Sequence, residues 1–325
     1  AFEPEWLPFD HPLWIVYSSG TTGLPKALVH GHGGIVMVGA ASRKLGDVGC
    51  SYAPNSLGER FHWYSTTGWV MWNSQVSGLL DGATICLYDG SPGGSKELPD
   101  WSVLWRFAAR HRVTYFGAGA AFYAGCMKAG VDLSTCGDLS RIRALGSTGS
   151  PLSEDVQRWG TAQFARLGTP DIWWNNISGG TDFCGVFIGS HRELPQQPGR
   201  LACRQLGSAV EAWNEAGEPV IDEVGELVCT RPLPSMPLYL WGDEGNARYL
   251  SSYFDVYPGI WRHGDWVRIH PDGSCVIYGR SDATINRHGL RMGTSEIYAA
   301  VEALPEVLDA MVIDLEYLGR PSRMI

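Results

Sequence analysis

From residue 13 to about 178 the chain alternates short apolar runs with segments of helical period, and this alternation limits its fold more than any other feature. The runs are LWIVYSS (13–19), ATICLYD (83–89), VTYFGAG (113–119), IRALGS (142–147) and DIWWNNIS (171–178). Between them Trp101, Leu104, Trp105 and Ala108 recur at i, i+3, i+4 and i+7, and Ser153 before Glu154 and Asp155 supplies a cap and an acidic first turn. Strands spaced by helices predict an α/β sheet across this region. Past Pro195 short alternating strands lie between Gly, Asn and Glu turns, which predicts an antiparallel or barrel-like unit to about residue 278. A last module is expected from near Gly279, with Thr294 opening a helix through Leu304.

The first apolar run leads into VYSSGTTGLPK, residues 16–26. Gly20 and Gly23 allow unusual dihedrals and close approach of N–H groups to a ligand, Ser18, Ser19, Thr21 and Thr22 add hydroxyl donors, and Lys26 adds a charge. An anion with several oxygens, such as a triphosphate, would use such a loop. The same composition also suits a plain Gly/Thr-rich hairpin, and it is not a Walker loop, because Lys26 follows Pro25 and precedes Ala27.

Composition narrows the function classes. With 44% hydrophobic and 18% charged residues in 325, the chain is globular, and disorder and coiled coil are excluded. A net charge of -9 without a basic block argues against nucleic acid as a partner. No apolar run approaches the ~20 residues that span a bilayer, and AFEPEWLPFD at the start is acidic, unlike a signal peptide. The eight cysteines form no C-x-x-C pair, so a zinc site or disulfide framework is not indicated, and reduced thiols in a cytoplasm are expected. His30 and His32 have no third ligand at suitable spacing, so a metal role for them is not expected. A chain lacking an initiator Met and stopping at Arg323-Met324-Ile325 reads as a piece of a longer protein.

Four further stretches follow the loop in order: GSTGSP (146–151), ISGGTD (177–182), WRHGD (261–265), and GRSD (279–282) continuing to Asn286, Gly289 and Arg291. Each alone is a weak signal. Together with the loop they resemble the adenylate-forming superfamily of acyl-CoA synthetases, adenylation domains and luciferases, over nearly the whole chain. The spellings YSSGTTGLPK with VHGHGG, TTGWVMWN (66–73) and ISGGTD are most similar to its acetoacetate-activating branch.

The resemblance implies part of a large adenylate-forming domain, divided into an α/β nucleotide-binding portion (1–194) and a β-rich, barrel-like subdomain (195–281). The start of a small, mobile α+β C-terminal domain (282–325) would follow. It implies ATP and coenzyme A as co-substrates with Mg²⁺, and a two-step reaction through an acyl-adenylate. Residues 18–26 would hold the β and γ phosphates, with Lys26 as their cation. Thr181 would contact the α-phosphate, and Asp182, where many relatives carry Glu, would hold Mg²⁺ directly or through water. Gly149, Ser150 and Pro151 would pack on adenine, and Asp265 with Arg280 would meet the ribose and the hinge side. Asp282 would be the hinge, Arg291 would reach the phosphates in the thioester-forming state, and Gly289 would make room for the pantetheine arm. Read without the family, Asp182 is a turn carboxylate, Gly149–Pro151 a turn before a helix, and Asp265 a strand-end acid with an Arg partner.

The acyl pocket follows by the same matching: Val70, Met71 and Thr148 as walls, and Gly179 where acetate-specific relatives place a tryptophan. Hydrogen in place of an indole would leave space for a longer acid, so acetoacetate fits, as would butyrate or a branched acid. Alternatives are another short- or medium-chain acyl-CoA synthetase, an adenylation domain loading a carrier protein, and a catalytically silent nucleotide-binding module.

Overall fold

The computed structural model describes residues 3–18, 25–45, 58–95 and 97–281, the backbone of 285–287 and 290–292, and the single positions 300, 301, 304 and 307. Four of the five apolar runs contribute to one parallel sheet. Its spatial order is Thr84–Ile85, Arg60–Trp63, Tyr115–Gly119, Ala144–Thr148 and Trp173–Asn176. Arg60–Trp63, reading RFHW, is too mixed in polarity to stand out as an apolar run, and only two residues of ATICLYD pair as strand.

Alternation divides this sheet into two faces. Phe116, Leu145 and Trp174 share one register row, and Tyr115, Ala144 and Trp173 the next. The first row joins a core with Leu104, Trp105 and Ala108 of the helix Val103–Arg110, Phe122 and Tyr123 of Ala120–Lys128, and Phe164 of Glu154–Arg166. The second row packs with Phe61, Trp63 and Met71. Ser153 caps the helix Glu154–Arg166 as expected, accepting from the Val156 N–H. Glycine in the strands YFGAG and ALGST is explained by the Trp63 indole, because a Cβ on Gly117 or Gly146 would come within 2.1 or 2.4 Å of it.

The first apolar run departs from expectation. Pro12–Ser18 lies outside the parallel sheet and pairs antiparallel with Lys26–Gly31, which pairs antiparallel in turn with Tyr239–Leu240. The reason is chain length: residues 19–25 are too few for a parallel crossover, which needs about a dozen, but they suffice for a hairpin. The sheet assignment of this run is thereby corrected for residues 13–18.

The β-rich portion contains a five-stranded antiparallel sheet ordered Pro219–Val220, Val210–Trp213, Val224–Cys229, Trp261–Ile269 and Cys275–Arg280. Val210, Ala212, Leu227, Trp261, Val267 and Ile269 bury one face of it against Phe183, Phe187 and Tyr253. A smaller sheet joins Ser178–Gly180, Gly185–Gly189 and Cys203–Arg204. Beyond Ser281 the strands Ile285–Arg287 and Leu290–Met292 form a hairpin, and most of the expected helix from Thr294 lies outside the described residues. No helix among the described residues is long and apolar enough to cross a membrane.

Candidate active site

In an open parallel sheet, ligands bind beyond the carboxyl ends of the strands, at the crevice where successive connections diverge. Here Arg60–Trp63 connects to Thr84–Ile85 on one side, while Tyr115–Gly119 connects to Ala144–Thr148 on the other. The crevice therefore opens past Trp63 and Gly119, and Thr148, Gly149 and the stretch from Ile177 emerge along the same edge. Gly149 adopts φ 93°, a left-handed conformation that favours glycine, and the place of its missing side chain lies 3.5 Å from Trp69. Ser150 and Pro151 follow it at the surface.

Asp182 is the centre of the polar site. Ser18 Oγ donates to its Oδ1 at 2.7 Å, Tyr253 OH donates to the same oxygen at 2.5 Å, and Lys26 Nζ lies 2.9 Å from it. The Lys26 ammonium also sits over the Tyr253 ring, 4.5 Å from its centroid. Ser18 and Lys26 face each other across the first hairpin, Thr181 and Asp182 follow the strand Ser178–Gly180, and Tyr253 ends the helix Ala247–Tyr253. Three segments far apart in sequence therefore meet on one carboxylate. Burial pushes the Asp182 carboxyl up, but the Lys26 charge and the hydroxyls of Tyr253 and Ser18 outweigh it and leave the group below the ordinary carboxylate value. Burial, then the neighbouring Asp182 charge, raises the Tyr253 phenol, so it stays a donor.

His30 lies under this cluster, fully buried, its Nδ1 2.8 Å from the Ser235 carbonyl oxygen. Burial lowers its pKa to about 4, so the imidazole is neutral at pH 7. His32 Nδ1 instead lies 3.0 Å from the His11 carbonyl oxygen.

Asp265 and Arg280 are partners across two neighbouring strands, with Arg280 Nη1 3.5 Å from Asp265 Oδ1. Next to them stands Glu226, which the sequence did not single out. Its Oε1 accepts from the Gly264 N–H at 3.1 Å and from Ser281 Oγ at 2.9 Å, and its Oε2 pairs with Arg262 at 3.2 Å. Glu226 ties the Asp265 strand to the residue just before Asp282. Burial raises its carboxyl, only partly countered by Arg262 and these donors.

The acyl-pocket candidates gather at the sheet edge. Val70 and Met71 open the helix Val70–Ser77 and pack with Trp69 and Ile177 on the Phe61–Trp63–Tyr115 cluster, while Thr148 Oγ1 donates to the Ile177 carbonyl at 2.7 Å. Gly179 requires a correction to the simplest form of the pocket argument. A Cβ there would come 2.1 Å from the Gly185 carbonyl oxygen across the hairpin, so this backbone admits no side chain at 179, and an indole would not merely refill a pocket. Ser19, Gly20, Thr21, Thr22, Gly23, Asp282 and Gly289 lie outside the described residues, and Arg291 is placed by its backbone alone. Tyr253 was missed as well: nothing local in ARYLSSYF marks it, and its role comes from long-range packing.

A glycine- and hydroxyl-rich stretch of sequence ahead of Lys26, a Gly-Gly-Thr-Asp turn and a strand-end Asp–Arg pair occur together in this chain. Residues 1–240 match the family model described as AMP-binding enzyme, and the chain belongs to that family. Its relatives include acetoacetyl-coenzyme A synthetase of Rhizobium meliloti (strain 1021), 43% identical over 314 residues, which are 96% of this chain and 46% of that protein. The acetoacetyl-CoA synthetase of Gallus gallus is 40% identical over 312 residues, covering 96% of this chain and 45% of that one. The solved structure of acetoacetyl-CoA synthetase from Streptomyces lividans matches with a TM-score of 0.86 at 50% identity, covering 95% of this chain and 46% of that chain. The resemblance read from the motifs is borne out, and the chain spans about half the length of the relatives it matches.

Proposed function

We propose that the full-length protein is an AMP-forming acid–thiol ligase that converts acetoacetate, ATP and coenzyme A to acetoacetyl-CoA, AMP and pyrophosphate. A carboxylate oxygen of acetoacetate attacks the α-phosphorus of ATP, and the bond to pyrophosphate breaks. The coenzyme A thiolate then attacks the acyl carbon, and AMP leaves with the oxygen that the acid contributed. The observation that carries this reading is the convergence of Ser18, Lys26 and Tyr253 on Asp182, because it brings the phosphate loop and the Gly-Gly-Thr-Asp turn to one point.

An anionic nucleophile must approach an anionic phosphate, so the site has to neutralise oxygens and orient both reactants. Lys26 pairs with Asp182, and its ammonium is the cation for the β and γ phosphates of ATP. Ser18, Ser19, Gly20, Thr21, Thr22 and Gly23 complete the phosphate cradle, and Thr181 donates to the α-phosphate. Gly149, Ser150 and Pro151 lie against adenine, and Asp265, steadied by Arg280, accepts from the ribose hydroxyls. Val70, Met71 and Thr148 bound the acid, Gly289 borders the pantetheine path, Asp282 is the hinge, and Arg291 meets the phosphates during thioester formation. Asp182 suits Mg²⁺: it is a hard oxygen donor held ionised by Lys26, Tyr253 and Ser18, and it would hold the cation directly or through water. Bound there, the metal would supply charge neutralisation at the phosphate oxygens. Units 1–194, 195–281 and 282–325 and a cytoplasmic setting belong to the same reading.

The test is pyrophosphate release by the full-length protein with each acid. Acetoacetate should give a higher kcat/KM than acetate or butyrate, and a preference for acetate would overturn the substrate assignment.

A further inference from the structure

We infer that His263 is a positioning residue that holds the Asp265 carboxylate for the ribose hydroxyls of ATP, braced against the Gly-Gly-Thr-Asp turn. The inference rests on the reading that Asp265 accepts from those hydroxyls. His263 stands two residues before Asp265 in the strand Trp261–Ile269, and its ring is buried. Its Nε2 lies 3.6 Å from Asp265 Oδ2, while Arg280 Nη1 approaches Oδ1 of the same carboxylate at 3.5 Å. The turn closes on the ring from another side: a Cβ on Gly180 would come 2.7 Å from His263 Cε1 and 3.1 Å from Nε2. One imidazole therefore lies against both the acid assigned to the ribose and the backbone two residues before Asp182.

The strand departs from regular pairing at this point. Arg262 pairs with Val228 and Trp266 with Glu226, so His263, Gly264 and Asp265 stand opposite Leu227 alone. Gly264 takes φ 87° within that bulge, and Glu226 accepts its N–H. Bulges re-aim side chains, and this one brings those of His263 and Asp265 together.

The surroundings set which ring nitrogen carries the proton. Trp261 Nε1, which can only donate, lies 3.5 Å from His263 Nδ1, and this assigns the ring proton to Nε2, on the Asp265 side. Trp261 itself stacks on Tyr253, with centroids 3.8 Å apart, and Tyr253 donates to Asp182. Phe183 and Phe187 meet the imidazole edge-on, with centroids 5.6 and 4.7 Å away. Burial, helped by Arg280, lowers the His263 pKa against the opposing charges of Asp265 and Asp182, so the ring is neutral at pH 7. It orients Asp265 as an N–H dipole, not as a second cation beside Arg280. A residue needed only for packing would not have to be histidine, since leucine or phenylalanine fills an apolar slot without an N–H to satisfy.

The experiment compares ATP with 2′,3′-dideoxy-ATP, which lacks both ribose hydroxyls, in acetoacetate-dependent pyrophosphate release by the full-length protein. His263→Leu and His263→Gln are assayed beside the wild type and Asp265→Ala, and Tm is recorded for each. The wild type should prefer ATP, and Asp265→Ala should lose that preference. His263→Leu should lower kcat/KM for ATP about tenfold, chiefly by raising KM, and leave the dideoxy substrate within about twofold of the wild type. His263→Gln, which keeps an N–H at the far end of its side chain, should retain most of the preference for ATP. Equal losses with both nucleotides in a folded His263→Leu protein, or an unchanged preference for ATP, would overturn the inference and leave the role of Asp265 standing. Loss of the fold in both His263 variants would overturn it too, because the ring would then be a packing residue. A wild type indifferent to the ribose hydroxyls would overturn the reading of Asp265 itself, and the inference with it.

Discussion

Asp182 and Lys26 hold each other in a half-buried contact, so removing either alone leaves the other without its partner. Asp182→Ala and Lys26→Ala should each destabilise by about 3 kcal/mol, and the double variant should lose far less than the sum, with a coupling of about 1–3 kcal/mol. Chemical denaturation of the four proteins measures this, and additive losses would separate the pair. In kinetics, Lys26→Ala should mainly weaken ATP binding, while Asp182→Ala should slow adenylation itself. The Asp182 pKa lies below its unfolded value, so its stabilisation is present above about pH 4 and is lost as pH falls through the lowered native value. His30 has its own window. Its native pKa is lowered from 6.5 to about 4, so the unfolded chain takes up the proton first, and stability falls as pH drops from 6.5 to 4. The loss should be on the order of 2–3 kcal/mol, and His30→Gln should flatten that part of the stability–pH curve. At this scale the sequence disclosed the members of the site by motif but not their contacts. Ser18, Lys26 and Asp182 stood in recognisable stretches, whereas Tyr253 and Glu226 reach the site only through packing between segments distant in the chain.

At the scale of elements, close backbone approach decides which glycines are replaceable. Gly117→Ala would drive a Cβ to 2.1 Å from Trp63, and Gly179→Ala would drive one to 2.1 Å from the Gly185 carbonyl. Each should cost about 1–3 kcal/mol or more, because the obstacle is a buried indole or a paired backbone. Gly179→Trp should therefore lower Tm sharply rather than simply shift preference toward acetate. A folded Gly179→Trp protein with wild-type Tm would show that the hairpin yields. Gly207, where a Cβ would meet nothing within 4 Å but φ is 90°, provides a comparison in which conformation alone resists substitution. Alternating apolar runs made the parallel sheet legible, since Phe116, Leu145 and Trp174 must turn to one face and their neighbours to the other. Pro12–Ser18 had the same texture and went elsewhere, because a strand's partner depends on the length of its connection as well as on its side chains.

For the whole molecule, the matched relatives are about twice as long as this chain. The boundary at Glu226 is where the two scales meet: its carboxylate links Gly264, beside Asp265, to Ser281, beside the proposed hinge. The β-rich character past Pro195 was readable from its turns, but this link was not, because Glu226, Gly264 and Ser281 lie on different strands or just beyond one. The central claim is that the acid's own oxygen becomes bonded to the α-phosphorus of ATP. It is tested most directly by supplying acetoacetate labelled with ¹⁸O in its carboxylate to the full-length protein with ATP and coenzyme A, and analysing the products by mass spectrometry. The account predicts one ¹⁸O in each AMP formed and none in pyrophosphate; unlabelled AMP, or label in inorganic phosphate alongside ADP, would contradict it.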